Sequence, residues 1–413
     1  MHSAYTVVAG IDVHKRVLMA VVGQPGAEEA GVAQGKFLTT RSGLRQMMQW
    51  LKENHVEAVV MESTAQYWWP VWVELEQDWP LYLAQARSNA APAGRKTDFR
   101  DAARMVRRFF SGDLRYSFVP RPEQRAWRRL SRTWKSLGEQ IVETRNEIEA
   151  LLEEGQIKLS CLLSDLLGAS GRRILRALAE GHSDAAALAQ MCDRRVRASQ
   201  RERVDALDGR LPEAHRLVLR QHMDRIEMLE AQRAELQRKL EELLQEWVPA
   251  VRRLAAVPGM NVVAAQHLIA EIGPDVAAFP SPAQLASWVG VCPGRQESAG
   301  VSRSNRCAKG NRFVRALICQ IAHAASRTKG SRWEALFQHW QRRLGRNKAL
   351  WAVAHRMLRL IWKLLATGVD YIELGPRALD PARLEARMRR LQREFRQHGI
   401  EISFTPTNAV STA

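Results

Sequence analysis

The sequence predicts a multidomain protein with an α/β N-terminal domain, a helical coiled-coil middle and a mainly α C-terminal domain. Three observations carry that expectation. Short β-branched runs alternate with amphipathic stretches over residues 1–120, two heptad-spaced apolar tracks follow over 121–249, and helical periodicity dominates 250–375. A basic helix and tail fill 376–413.

In the first segment, "YTVVAGIDV" and "RVLMAVVG" flank "HK" as a hairpin, and "GKFLTT" supplies a third strand. "SGLRQMMQWLKEN" has helical spacing, "EAVVME" reads as a buried strand, "YWWPVWVELE" as a helix and "PLYLAQ" as another strand. Strands first, then strand–helix alternation, predict a mixed sheet covered by helices. From Pro122 the period changes. Leu137, Ile141, Thr144, Ile148 and Leu151 form one track; Leu219, His222, Ile226, Leu229, Arg233, Leu236, Leu240, Leu243 and Trp247 form the second. Such seams suit an antiparallel or intermolecular coiled coil, and also two long core helices. Further on, "LAAVPGMNVVAAQHLIAEIG" has the pattern of a helix-hairpin-helix. Its turn amides can meet a phosphate, or it is a tight turn without a ligand.

Composition narrows the partners. The 413 residues carry 62 Lys+Arg against 44 Asp+Glu, a formal charge of +18. That excess favours a polyanion, nucleic acid before an anionic membrane surface, because neutralising phosphates releases counterions. No apolar run approaches the roughly 20 residues of a spanning helix. "MHSAYTVVAGIDVHKRV" does not read as a secretory signal. Five cysteines without a CxxC pair make a disulfide framework or structural zinc site unexpected. A soluble, cytoplasmic protein is the expectation.

Carboxylates are the first candidate chemistry. Asp12 closes one apolar strand and Glu62 another, in positions where acids are depleted. Asp98 and Asp101 in "RKTDFRDA" share a helix face, about 5–6 Å apart at Cβ. Asp98 behind Thr97 also suits helix capping. Four carboxylates around one point need cations to stay ionised, and an oxygen-rich set selects Mg2+ or Mn2+. Two such ions can clamp the attacking and leaving oxygens of a phosphoryl transfer.

The basic segments come second. Arg295, Arg303, Arg306, Lys309, Arg312 and Arg315 surround a Gly/Ser-rich loop that suits a phosphate backbone, or is merely solvated. Ser298, Ser302 and Ser304 are candidate nucleophiles there, and composition does not choose among them. Arg121, Arg125, Arg128, Arg129 and Arg132 form another candidate nucleic-acid patch. Trp127 and Trp134, one heptad apart, fit the core better than base stacking.

"AGIDVHK", "VVMESTAQYW" and "RKTDFRDA", followed by "LAAVPGMNVVAAQHLIAEIG", "SWVGVCPGRQESAG" and "RCAKGNRFVRALICQIAHAA", resemble the DEDD-type insertion-sequence transposases of the IS-one-ten family. That family is also described as bridge-RNA-guided serine recombinases, with the pilin-gene invertases as relatives. The resemblance spans roughly residues 5–120 and 250–330. It implies a RuvC-like (RNase H-type) N-terminal domain with a metal tetrad at Asp12, Glu62, Asp98 and Asp101. It also implies a C-terminal transposase domain with Ser298 as nucleophile and a coiled-coil insertion used for assembly. The implied partners are donor and target DNA, a structured non-coding guide RNA and further copies of the chain in a synaptic dimer or tetramer. Near Ala65 the family commonly has glycine, and residues 155–210 and the tail have no counterpart in it. The rival readings are a junction-resolving nuclease using metal-activated water and a non-catalytic nucleic-acid scaffold.

Overall fold

β-Branched and small apolar residues dominate the first strands, as a sheet covered on both faces requires. In the computed structural model, which describes residues 5–26, 33–62, 65–89, 98–294, 296–298, 301–304, 307, 309–373, 375 and 381–403, they form β1 (Val8–Val13), β2 (Val17–Gly23), β3 (Ala33–Leu38), β4 (Ala58–Glu62), β5 (Leu81–Ala84) and β6 (Tyr116–Ser117). Strand order is β3-β2-β1-β4-β5-β6. β1 pairs antiparallel with β2 and parallel with β4; β4 and β5 are also parallel.

Helices cover both faces. α1 (Arg41–Glu53) turns Leu44, Met47 and Leu51 onto the sheet, and α2 (Trp68–Leu75) adds Val71 and Leu75. The opposite face receives α3 (Asp98–Ser111) through Ala102, Met105 and Phe109. Gly10 permits that helix to sit directly on β1, since a Cβ there would lie 2.4 Å from the carbonyl oxygen of Ala102. Ala65 adopts φ 48°, a left-handed conformation that glycine takes without strain, so its methyl group costs the chain stability there.

Residues 1–120 make one compact unit and 121–413 a second. The second opens with α4 (Pro122–Glu154) and continues through α5 (Leu159–Leu162), α6 (Ala169–Glu180), α7 (Ala185–Gln190), α8 (Gln200–Leu207) and α9 (Glu213–Leu243). α4 and α9 lie antiparallel within the chain. His215 bonds Glu154 at one end of the pair, and Trp127 shares a core with Leu240 at the other. The short helices between them pack on the far end of this pair, around Ile174, Leu175 and Leu188.

α10 (Val248–Ala255), α11 (Val262–Ile272), α12 (Pro282–Val289), β7 (Gln296–Ser298), β8 (Val301–Ser304), α13 (Arg312–Ala325), α14 (Arg332–Leu344), α15 (Arg346–Thr367) and α16 (Pro381–Gln397) complete it. Trp127 and Leu240 belong to the same core as Val251, Leu268, Ile318 and Met357, so α4 and α9 are rooted in the C-terminal helices. The Pro258–Gly259 turn between α10 and α11 is pressed onto α13: a Cβ at Gly259 would lie 2.4 Å from the amide nitrogen of Ala325. Close packing accounts for this glycine.

Candidate active site

Asp12 and Glu62 come together through strand register. β1 and β4 pair from Val8↔Ala58 to Ile11↔Met61, and the next residue on each strand is a carboxylate. Side chains alternate along a strand, so Asp12 shares its face with Val8 and Gly10, and Glu62 shares its face with Ala58 and Val60. This is the face on which α3 lies. Since Gly10 abuts the Ala102 carbonyl, Asp101 precedes that crossing by one residue and Asp12 follows it by two. Asp98 is the first residue of α3; its side chain lies outside the described residues. The carboxyl ends of parallel strands are where open α/β sheets place their sites, and the positive end of the α3 dipole attracts carboxylates.

Hydrogen bonds tie the two sides of this centre. Asn89 Nδ2 donates to Glu62 Oε2 at 2.9 Å. Arg104 Nε donates to the Asn89 carbonyl at 3.1 Å, and its Nη2 donates to Asp101 Oδ1 at 2.6 Å. His14 Nε2 stands 3.1 Å from Asp12 Oδ2. Sequence reasoning missed all three partners. His14 had a signal, because two residues after Asp12 on an extended chain means the same side. Arg104 had one too, three residues beyond Asp101 on a helix. Asn89, in "QARSNA", had none.

Among the described residues, no three His, Cys, Asp or Glu side chains form a group able to hold a metal ion. The two carboxylates at the strand ends still suit a hard cation, and Asn89 adds a buried amide oxygen, Oδ1, with no hydrogen-bond partner among the described residues.

The serine segment lies in the second unit. Ser298 pairs with Val301 where β7 meets β8, Ser302 faces Glu297, and Ser304 faces Gln296. By sequence, 292–311 reads as polar loop; these strands are too short and too polar to announce themselves by alternation. Beyond them the chain is firmly anchored. A Cβ at Gly310 would lie 2.3 Å from the Val289 carbonyl carbon, and Asn311 Oδ1 caps α13 by accepting from the amides of Phe313 and Val314. The "KGN" triplet is thus a close approach followed by a helix cap.

The basic candidates divide. Arg121, Arg129, Lys309 and Arg312 are exposed. Arg315 is half-buried, 4.9 Å from the Trp351 ring. Arg295 and Arg306 lie outside the described residues, as does the side chain of Arg303. The predicted single patch on α4 needs correction, because Arg125 and Arg128 point inward and Arg132, partly exposed, is held by a buried carboxylate. Arg125 is buried. Arg128 donates to the Glu271 carbonyl through Nε at 3.1 Å and Nη2 at 2.5 Å, and burial lowers its pKa to about 10. Arg132 grips the Glu271 carboxylate with two bonds of 2.7 and 2.9 Å. Glu271 is 2% exposed and also accepts from Asn311 Nδ2 at 3.1 Å, so these arginines brace the base of the serine segment. Trp127 is core, as expected; Trp134 stacks on His267 at 4.1 Å under the Arg233 guanidinium.

Residues 251–338 match the model of the Transposase IS116/IS110/IS902 family, and residues 9–156 match that of the DEDD transposases of the IS110 group. The chain belongs to the IS110 family. It is a DNA transposase, an enzyme that cuts and rejoins DNA. No curated protein matches the chain. The first matched segment of this transposase holds Asp12, Glu62, Asp98 and Asp101 and runs to the end of α4, with Arg128 and Arg132; the second holds Ser298, Glu271 and Asn311. Residues 157–250, with α5–α8 and α9, lie between them.

Among the described residues no helix is long and apolar enough to cross a membrane.

Proposed function

We propose that this transposase cuts DNA at a divalent-metal centre held by Asp12, Glu62, Asp98 and Asp101, with Ser298 as the nucleophile. The observation that carries the reading is the register of β1 and β4, which brings Asp12 and Glu62 to adjacent strand ends under the first turns of α3. When bound, Mg2+ or Mn2+ would neutralise charge on the scissile phosphate and stabilise the entering and leaving oxygens. Ser298 Oγ attacks phosphorus and loses its proton, the phosphodiester P–O bond breaks, and the leaving deoxyribose oxygen is protonated. The resulting phosphoserine link keeps the bond energy for rejoining.

Base pairing with a structured guide RNA supplies sequence choice in this reading, and the protein reads backbone and shape. Support comes from the +18 charge and from the exposed Arg121, Arg129, Lys309 and Arg312. The assembly is a dimer or tetramer in which the tetrad of one copy serves the serine of another. Mixing an Asp101→Asn protein with a Ser298→Ala protein tests this: cleavage returns only if sites are shared between copies.

The deciding experiment is denaturing electrophoresis of a cleavage reaction on labelled DNA. A covalent protein–DNA adduct that is absent from Ser298→Ala is expected. Cleavage without any adduct would transfer the reading to a metal-activated water.

A further inference from the structure

Asn89 ends a single turn, Ala86–Asn89, that leaves the carboxyl end of β5. It is 1% exposed, and its polar atoms are unequally satisfied. Nδ2 donates to Glu62 Oε2, and the main-chain carbonyl accepts from Arg104, which in turn holds Asp101. Oδ1 is buried with no hydrogen-bond partner among the described residues. Leaving a buried acceptor unmade costs about 1–3 kcal/mol. Turning the amide over does not remove that cost, since it would set Oδ1 against the Glu62 carboxylate and orphan the NH2 group instead. The nearby cation, Arg104, is already engaged on both Asn89 and Asp101. An amide oxygen one amide-width from a carboxylate, short of a positive partner, is a hard-cation donor.

We infer that Asn89 is a fifth oxygen donor of the carboxylate centre: Oδ1 faces the divalent cation or one of its waters while Nδ2 orients Glu62. The inference rests on the metal reading given above. A neutral donor suits the site physically, because it fills a coordination position without adding to the repulsion among carboxylates. Through its main-chain carbonyl the same residue also holds Arg104 and, through it, Asp101, so one residue links the strand-end and helix-start halves.

The test uses the full chain without DNA and reads Mn2+ binding by calorimetry, with melting followed in chelator and in Mn2+. Asn89→Ala is expected to weaken Mn2+ binding about tenfold or more, the usual effect of losing an outer partner of a metal site. Asn89→Asp is expected to melt lower than wild type in chelator, from repulsion with Glu62, and to show a larger Mn2+-induced rise in Tm. Asp12→Asn and Glu62→Gln serve as reference variants. If wild type and these two bind Mn2+ alike or not at all, the metal reading itself fails. If they lose binding while Asn89→Ala and Asn89→Asp keep the wild-type affinity and the wild-type Mn2+-induced rise in Tm, Asn89 is only a structural strut and the inference is overturned. Should Asn89→Ala fail to fold, Asn89→Asp decides alone.

Discussion

Replacing Glu271 with alanine removes an acceptor on which α4, α11 and the start of α13 converge. The carboxylate is 2% exposed and takes two bonds from Arg132 and one from Asn311, with Arg128 Nε 3.8 Å from its Oε2. Breaking a buried pair on one side costs about 3–5 kcal/mol, mostly because the other charge is stranded. Arg132 is 39% exposed and can turn toward water, which places the loss near the lower bound, about 3 kcal/mol. Arg128 keeps its bonds to the main-chain carbonyl but loses the charge that offsets its burial. Asn311 loses the bond that aims its cap. A loss of about 3 kcal/mol corresponds to roughly a hundredfold in a local opening equilibrium. Hydrogen exchange at the amides of Phe313 and Val314, which Asn311 caps, should therefore accelerate by about that factor, with calorimetry showing an earlier transition of the second unit. In an Arg132→Met background the same substitution should cost clearly less, since the pair is coupled. Exchange at those amides changing by under about threefold in Glu271→Ala would refute the bracing role.

Further outcomes follow from other sites. Burial first, then Arg233, holds His267 at a pKa of about 4 instead of 6.5; the unfolded chain therefore binds its proton first, and stability is complete above pH 6.5 and falls toward pH 4 by about 3 kcal/mol. Denaturant midpoints at pH 7.5 and 4.5 should converge in His267→Gln, and an unchanged pH slope would remove His267 as the cause. Ala65→Gly should raise the stability of the first unit by about 0.5–1 kcal/mol, the relief of a left-handed alanine less the added chain entropy of glycine, read as a higher melting temperature. Asp101→Asn should abolish DNA cleavage and leave nucleic-acid binding intact in a mobility assay; wild-type turnover would exclude it from the centre. Replacing Lys309 or Arg312 should weaken binding to every sequence alike and lower the salt slope by about one for each phosphate no longer neutralised, whereas weaker binding at one target alone would indicate base readout.

By itself the sequence determined most of the longer elements and where the carboxylates fall along them. β1, β2 and β4 were legible because a strand buried on both faces must be almost wholly apolar, and for the same reason Asp12 and Glu62 stood out at their ends. α4 and α9 were legible from seams that repeat over many turns. Tertiary structure alone decided who meets whom. Asn89 carries no periodic signal, and only the packing of α3 on Gly10 brings the Arg104–Asp101 pair within reach of it. Arg128 and Arg132 look like surface cations on an amphipathic helix. Their partner, Glu271, stands 143 and 139 positions away in the chain, and local spacing says nothing about a charge that far off. β7 and β8 were hidden for a related reason: strands of three and four residues are made by pairing with each other, before any alternation can accumulate. Local pattern reports what a segment buries, and the partner it buries against is a property of the folded chain.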